Sequence, residues 1–216
     1  MDEFPLFRAD LIDALRQPLE SGDITIARAE ESVTLPARCL VVLAANPCPC
    51  GDYRAAASES RCKCPARAVR AYQSRVRGPV TDRIDITRHL SPIAPHAQAT
   101  PGAAPEPTAA VRERVTAARA RQAARYAGEG WRLNGQVPGP VLRRRYPPTD
   151  QALRRVDSDT FGGSLTARGA VRVLRLAWTL ADLAGRDRPD LAEVETALAL
   201  RHGQSLTLDA LRRRAG

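Results

Sequence analysis

The stretch "VVLAANPCPCGDYRAAASESRCKCPARA", residues 41–68, runs an apolar segment into an asparagine and then into four cysteines. With Cys39 and Leu40 the apolar part reads "CLVVLAA". This is a continuous run containing β-branched residues, the pattern of a strand covered on both faces in a parallel sheet. Asn46 ends that run. Cys48, Cys50, Cys62 and Cys64 follow as two Cys-x-Cys pairs separated by eleven residues. Four thiolates on one loop can close a tetrahedral structural zinc site with no position left for water. Pro49 and Gly51 favour a tight knuckle. A single intervening residue is fewer than the usual two to four, so free thiols and a redox pair stand beside zinc as readings. Cys39 begins the apolar run and reads as a small buried hydrophobe. His89, His96 and His202 show no ligand spacing with the cysteines.

The bulk composition narrows the classes. Hydrophobic residues make up 44% of the 216, which is enough for a core, and with only 4% aromatics that core must be aliphatic. The net charge of +9 permits a polyanionic partner such as DNA. However, Lys63 is the only lysine among 33 basic residues. An arginine bias alongside abundant Ala and Pro fits GC-rich coding as well as it fits a DNA-binding face. No segment approaches the ~20 apolar residues of a membrane span. "MDEFPLF" lacks the basic and apolar regions of a signal peptide. The expectation is a cytoplasmic protein with no membrane partner, where clustered cysteines favour metal over disulfides.

Outward from the opening stretch, "RADLIDALRQPLE" spaces Leu11, Ile12, Leu15 and Leu19 as a helix ended by Pro18. "DITIARAEESVTLPAR" alternates as a hairpin, with Ile24 and Ile26 facing Val33 and Leu35. A helix is expected from about Pro65 to Val76, and "RIDITRHL" can supply a short strand. Residues 91–107 shift to Pro, Ala and Gly, the composition of a linker. Beyond them, "TAAVRERVTAARARQAARYAG" reads as a helix closed by Gly128. "SLTARGAVRVLRLAWTLADLAG" reads as another, capped by Ser164 and Gly185. A third begins near Pro189 and Asp190. The expected domains are an α/β part (1–90), a linker (91–107) and a helical part (108–216).

Taken singly, Asp2-Glu3, Asn46 and Arg83 read as surface or turn residues. In this order and at strand ends they resemble the second half of an AAA+ ATPase core. "MDEFPLFRADLIDALRQPLESGDITIARAEESVTLPAR", "AANPCPCG", "RGPVTDRIDI" and "SLTARGAVRVLRLAWTLADLAG" together resemble the magnesium-chelatase-like ComM/YifB family across most of the chain. That resemblance implies the C-terminal part of a P-loop AAA+ core, a parallel sheet with an inserted hairpin, followed by an all-helical lid. It implies ATP and Mg²⁺ as cofactors, with Asp2 and Glu3 at the Walker B positions and Asn46 as the first sensor. Arg83 would be the arginine finger and Arg168 the second sensor. It also implies a self-assembled ring, a hexamer, acting on DNA in branch migration during natural transformation, with the hairpin as substrate contact.

The chain contains no G-x-x-x-x-G-K-[ST]. Met1 falls one residue before the Walker B aspartate, so the expectation is a C-terminal fragment that does not hydrolyse ATP alone. Two rivals remain: a non-catalytic, zinc-stabilised DNA-binding module, and the inactive product of a truncated gene. A chlorophyll-pathway chelatase subunit is disfavoured by the "CPCG" loop.

Overall fold

A computed structural model describes residues 1–28, 31–54, 60–76, 80–90 and 106–204. The chain divides into two compact units, one from Met1 to Ile84 and the other from Asp85 onward.

In the first unit a short 3₁₀ turn, Phe4–Leu6, leads into α1 (Ala9–Ala14) and α2 (Arg16–Ser21). The expected single helix is thus broken at Leu15, and Pro18 lies inside α2 rather than at its end. Pro18 is the third residue of α2, where an N–H would have no intrahelical partner in any case. Gly22, at φ 77°, makes the stop: it takes the left-handed conformation and donates to Pro18 O. Strands β1 (Asp23–Arg28) and β2 (Glu31–Pro36) form the expected hairpin, pairing Ile24 with Leu35 and Ile26 with Val33. After the cysteine loop, α3 (Ala66–Val76) buries Val69 and Tyr72 and packs on the Phe4–Leu6 turn. The Arg75 guanidinium donates to Pro5 O at 2.9 Å.

The expected parallel sheet is not formed: among the described residues the only sheet is this antiparallel hairpin. "CLVVLAA" is extended but belongs to no ladder, with Leu40 90% and Val42 66% exposed. A strand covered on both faces needs hydrogen-bonding neighbours, and among the described residues only the first of the chain provide any. The Met1 amino group donates to Val42 O (2.8 Å), Ala44 N–H to Met1 O (2.9 Å) and Phe4 N–H to Ala44 O (3.1 Å). The first two bonds flank Leu43 as a parallel neighbour would. "RIDITRHL" likewise forms no strand. Thr81–Arg83 is a 3₁₀ turn, and the residues after it belong to no sheet among the described residues.

The second unit is helical. Asp85 accepts from Arg172 at 2.7 Å and Thr87 N–H donates to Leu200 O at 2.9 Å, so the segment after Ile84 lies along this unit's helices. Of the expected linker, only Glu106 and Pro107 fall within the described residues. The helices are α4 (Thr108–Arg125), α5 (Gly139–Arg145), α6 (Asp150–Phe161), α7 (Ala167–Leu183) and α8 (Leu191–Arg201). Sequence reading finds α4, α7 and α8 but passes over α5 and α6. Pro138 and Pro140 make the start of α5 look like a loop, although Thr149 is a visible N-cap for α6, accepting from Ala152 N–H. The α7 cap is Thr166 rather than Ser164, with Gly169 N–H donating to its hydroxyl at 2.9 Å. Gly185 follows α7 at φ 71°, and Asp190 with Glu193 forms a capping box on α8.

Helix α7 is the hub, packing against α4, α5, α6 and α8. Val173, Leu174, Ala177 and Trp178 on its inner face join Leu142, Val156 and Val194 in one core. A polar network closes the core's edge. Asp182, wholly buried, pairs with Arg125 and accepts from Asn134 Nδ2 at 2.9 Å. The Arg125 guanidinium carbon stands 3.9 Å above the Trp178 ring.

Candidate functional site

In the first unit the structure brings three of the proposed site residues together. Glu3 has φ 47°, the only positive φ outside glycine among the described residues, and its N–H is held by Asp2 Oδ1 at 2.9 Å. A left-handed glutamate is a strained conformation, of the kind found where geometry serves a site. The Asn46 side-chain amide then reaches across 43 residues of chain to Glu3 Oε1 at 3.4 Å. Asp2, Glu3 and Asn46 are all exposed, so two carboxylates and one amide face solvent side by side.

Arg83 lies in the same unit but is turned inward. It is only 9% exposed, and its Nε and NH2 both donate to Glu20 Oε2, at 3.1 and 2.6 Å. Glu20 was missed by sequence reading, since a pairing over 63 residues leaves no local signal. Arg168 occupies the first turn of α7, exposed, in the second unit. An open hollow of about 470 Å³ in that unit is lined by Arg155, Asp159, Ser164, Glu195, Leu198, His202 and Gln204, and it contains none of the residues chosen from sequence.

Immediately behind Asn46 sits the cysteine cluster. The sulfurs of Cys48, Cys50, Cys62 and Cys64 all lie within 4.8 Å of one another. Cys48 to Cys50 is 3.3 Å, and Cys62 is 3.6 Å from each of them. A tetrahedron of sulfurs around zinc at ~2.3 Å has edges of about 3.8 Å. Cys48, Cys50 and Cys62 therefore already stand at nearly the separation a metal would impose, with Cys64 within 4.8 Å of them. All three separations are well beyond the ~2.05 Å of a disulfide. Cys48 is buried and forms the inner corner, whereas Cys39 is exposed and apart from the cluster, which corrects its reading as a buried hydrophobe. Gly51, at φ 84°, supplies the left-handed turn between the first pair and the rest of the loop.

Crowding splits the sulfurs' acidities. The Asp52 backbone amide, helped by Cys48, lowers Cys50 to about 6. Cys64 is raised by its contact with Cys50 and by burial. Cys50 is thus the sulfur most readily ionised, while Cys64 holds its proton.

Tyr72 and Gln73, on one turn of α3, hold this corner to the unit. Tyr72 is buried, which raises its phenol pKa, and the Asn46 backbone amide engages its hydroxyl. Gln73 Nε2 donates to Pro47 O at 3.1 Å. Sequence reading missed both residues, because nothing in a helix periodicity marks a contact to a loop 26 residues earlier.

Comparison with known proteins covers nearly the whole chain. Residues 1–98 match the family described as magnesium chelatase, subunit ChlI, and residues 105–201 match its C-terminal domain. The chain belongs to the magnesium chelatase ChlI-like family. Among curated relatives it is 41% identical over 201 residues to an uncharacterized protein of Mycobacterium tuberculosis, covering 93% of this chain and 39% of that one. It is 32% identical to the uncharacterized protein YifB of Escherichia coli (93% and 38%). It is 33% identical to the competence protein ComM of Haemophilus influenzae (89% and 37%). The chain thus spans less than two fifths of the length of these relatives. No helix among the described residues is long and apolar enough to cross a membrane.

Proposed function

We propose that this magnesium chelatase-like chain forms the hydrolytic and lid side of a cytoplasmic AAA+ ring ATPase acting on DNA, with zinc held by Cys48, Cys50, Cys62 and Cys64. The observation that carries the reading is the meeting of Glu3 and Asn46 beside Asp2. ATP with Mg²⁺, when bound, supplies the phosphoryl group and the charge that offsets its transfer. Asp2 would hold the metal, Glu3 would take the proton of the attacking water, and Asn46 would orient that water between them. A finger role for Arg83 across a subunit interface, in a hexamer, requires it to exchange Glu20 for the neighbour's nucleotide. Arg168 would act from the start of α7. Branch migration is the DNA activity expected by likeness to the competence protein.

The residues present fit one side of a nucleotide site. With no G-x-x-x-x-G-K-[ST] in 216 residues, the chain alone should neither bind ATP at micromolar concentration nor hydrolyse it. In a longer protein that joins this segment to a P-loop, Glu3→Gln should keep ATP binding and lower hydrolysis about 10²–10⁴-fold. Unaltered turnover in that variant overturns the assignment. There, Arg83→Ala subunits mixed with subunits lacking a working P-loop should regain activity that neither has alone. The four-cysteine cluster also favours a second reading, a DNA-binding module with no catalysis of its own. Under that reading the 216-residue chain binds labelled DNA without nucleotide, with an affinity falling steeply as salt rises.

A further inference from the structure

We infer that the four-cysteine knuckle is a metal-loaded clamp for Asn46, so that metal occupancy sets whether the amide stands against Glu3. The inference rests on the reading of the cluster as a zinc site and adds a regulatory consequence for the carboxylate–amide site.

The connection is short and stiff. One residue, Pro47, separates Asn46 from Cys48, so their Cα atoms are at most ~7.6 Å apart, and the ring fixes the intervening φ. Cys48 is the buried corner of the cluster. On the other flank the knuckle folds back over the same asparagine, since a Cβ built on Gly51 would lie 4.0 Å from the Asn46 side-chain carbon. The amide is therefore bounded by the two ends of the first Cys-x-Cys turn.

The rest of its support comes from α3 and from the chain's first residues. Tyr72 engages the Asn46 backbone, Gln73 holds Pro47 O, and Ala44 is tied to Met1 and Phe4. These bonds fix the backbone but leave the side chain exposed. The contact to Glu3, at 3.4 Å, is at the long end of a hydrogen bond and cannot orient the amide strongly by itself. Without a cation, the four sulfurs are joined only by weak thiol contacts, and nothing else among the loop's described residues ties the two Cys-x-Cys pairs with the strength a cation would. The knuckle then opens, and the amide loses its flank while the backbone anchors persist.

Composition provides a direct readout. The chain has two asparagines, Asn46 and Asn134. Asn134 is buried in the second unit, bonded to Arg125, Tyr126, Thr179 and Asp182, and serves as an internal control. The chain is labelled with ¹⁵N-asparagine, its zinc measured by elemental analysis, and spectra recorded before and after stripping the metal with a chelator under reducing conditions. The expected result is one equivalent of zinc, a displaced and broadened Asn46 side-chain amide after stripping, an unmoved Asn134, and recovery when zinc returns. Cys50→Ser should reproduce the stripped spectrum, and Cys39→Ser the loaded one. An Asn46 signal that stays in place while zinc demonstrably leaves overturns the clamp but spares the metal site. A chain that neither carries nor takes up zinc overturns both.

Discussion

The two units treat their apolar residues in opposite ways. From Asp85 onward the helices enclose an aliphatic core around α7, with Leu142, Val156, Val173, Leu174 and Val194 all essentially hidden from solvent. In the first unit only a few apolar side chains, among them Phe4, Ile12 and Val69, are buried, while Leu40, Val42 and the hairpin's Ile26, Val33 and Leu35 remain exposed. The difference follows from how each kind of element satisfies itself. A helix closes its hydrogen bonds within its own segment and needs partners only for one apolar stripe, which four neighbouring helices supply. An extended segment needs partners for its backbone as well as its faces, and among the described residues "CLVVLAA" has only the Met1–Phe4 segment. The first unit is accordingly held by particular contacts, the Arg83–Glu20 pair, the cysteine knuckle and the α3 anchors, more than by a shared core.

This contrast can be broken most forcefully at Asp182. Both tryptophans, Trp131 and Trp178, lie in the second unit, so their fluorescence reports its unfolding alone. Asp182→Ala removes the partner of Arg125 and of Asn134 inside a closed network, and should destabilise that transition by about 3–5 kcal/mol. A midpoint that scarcely moves would mean that the network is not sealed.

A smaller effect is expected at the start of α6. Thr149 accepts from Ala152 N–H and donates to Asp190 Oδ1 at 2.7 Å, tying the caps of α6 and α8 together. Thr149→Ala should cost about 1 kcal/mol on the same transition. The Thr149 hydroxyl, followed by the Leu191 N–H, holds Asp190 below its ordinary carboxylate pKa. A depressed pKa in the folded state adds stability that is fully present above about pH 4 and is lost as pH falls through the folded value. Asp190→Asn should therefore lower the midpoint near neutrality and flatten the acid limb of the midpoint-versus-pH curve, the two proteins converging as pH falls. A steeper limb in the variant would contradict this.

The smallest effect belongs to the hairpin. Val33 is 52% exposed, so Val33→Ser should shift the thermal midpoint by no more than about 0.5 kcal/mol equivalent, measured by circular dichroism. A large loss would show that something in solution covers this face, and would sharpen the contrast into a question of what does.

How much of this was legible beforehand depends on the range of the interaction. The hairpin register could be read because period-two alternation around a polar turn is local, and α7 and α8 because their apolar stripes are local too, although sequence reading sets the α7 cap two residues early, at Ser164. The cysteine cluster was legible as spacing, since a short loop returns its own ends to one place. What composition and spacing could not reveal was whether the apolar run after Cys39 would find neighbours, because a strand's fate is decided by chain far from it. Nor could they give Glu20 as the partner of Arg83, or Tyr72 and Gln73 as the supports of Asn46. By itself the sequence determined the helical stripes, the turn chemistry and the set of four thiols, all of which depend on contacts a few residues apart. Only the tertiary structure decided that Asn46 meets Glu3, that Arg83 faces inward and that the apolar run stays open, because each is a long-range pairing whose loop-closure cost must be met by contacts no local pattern records.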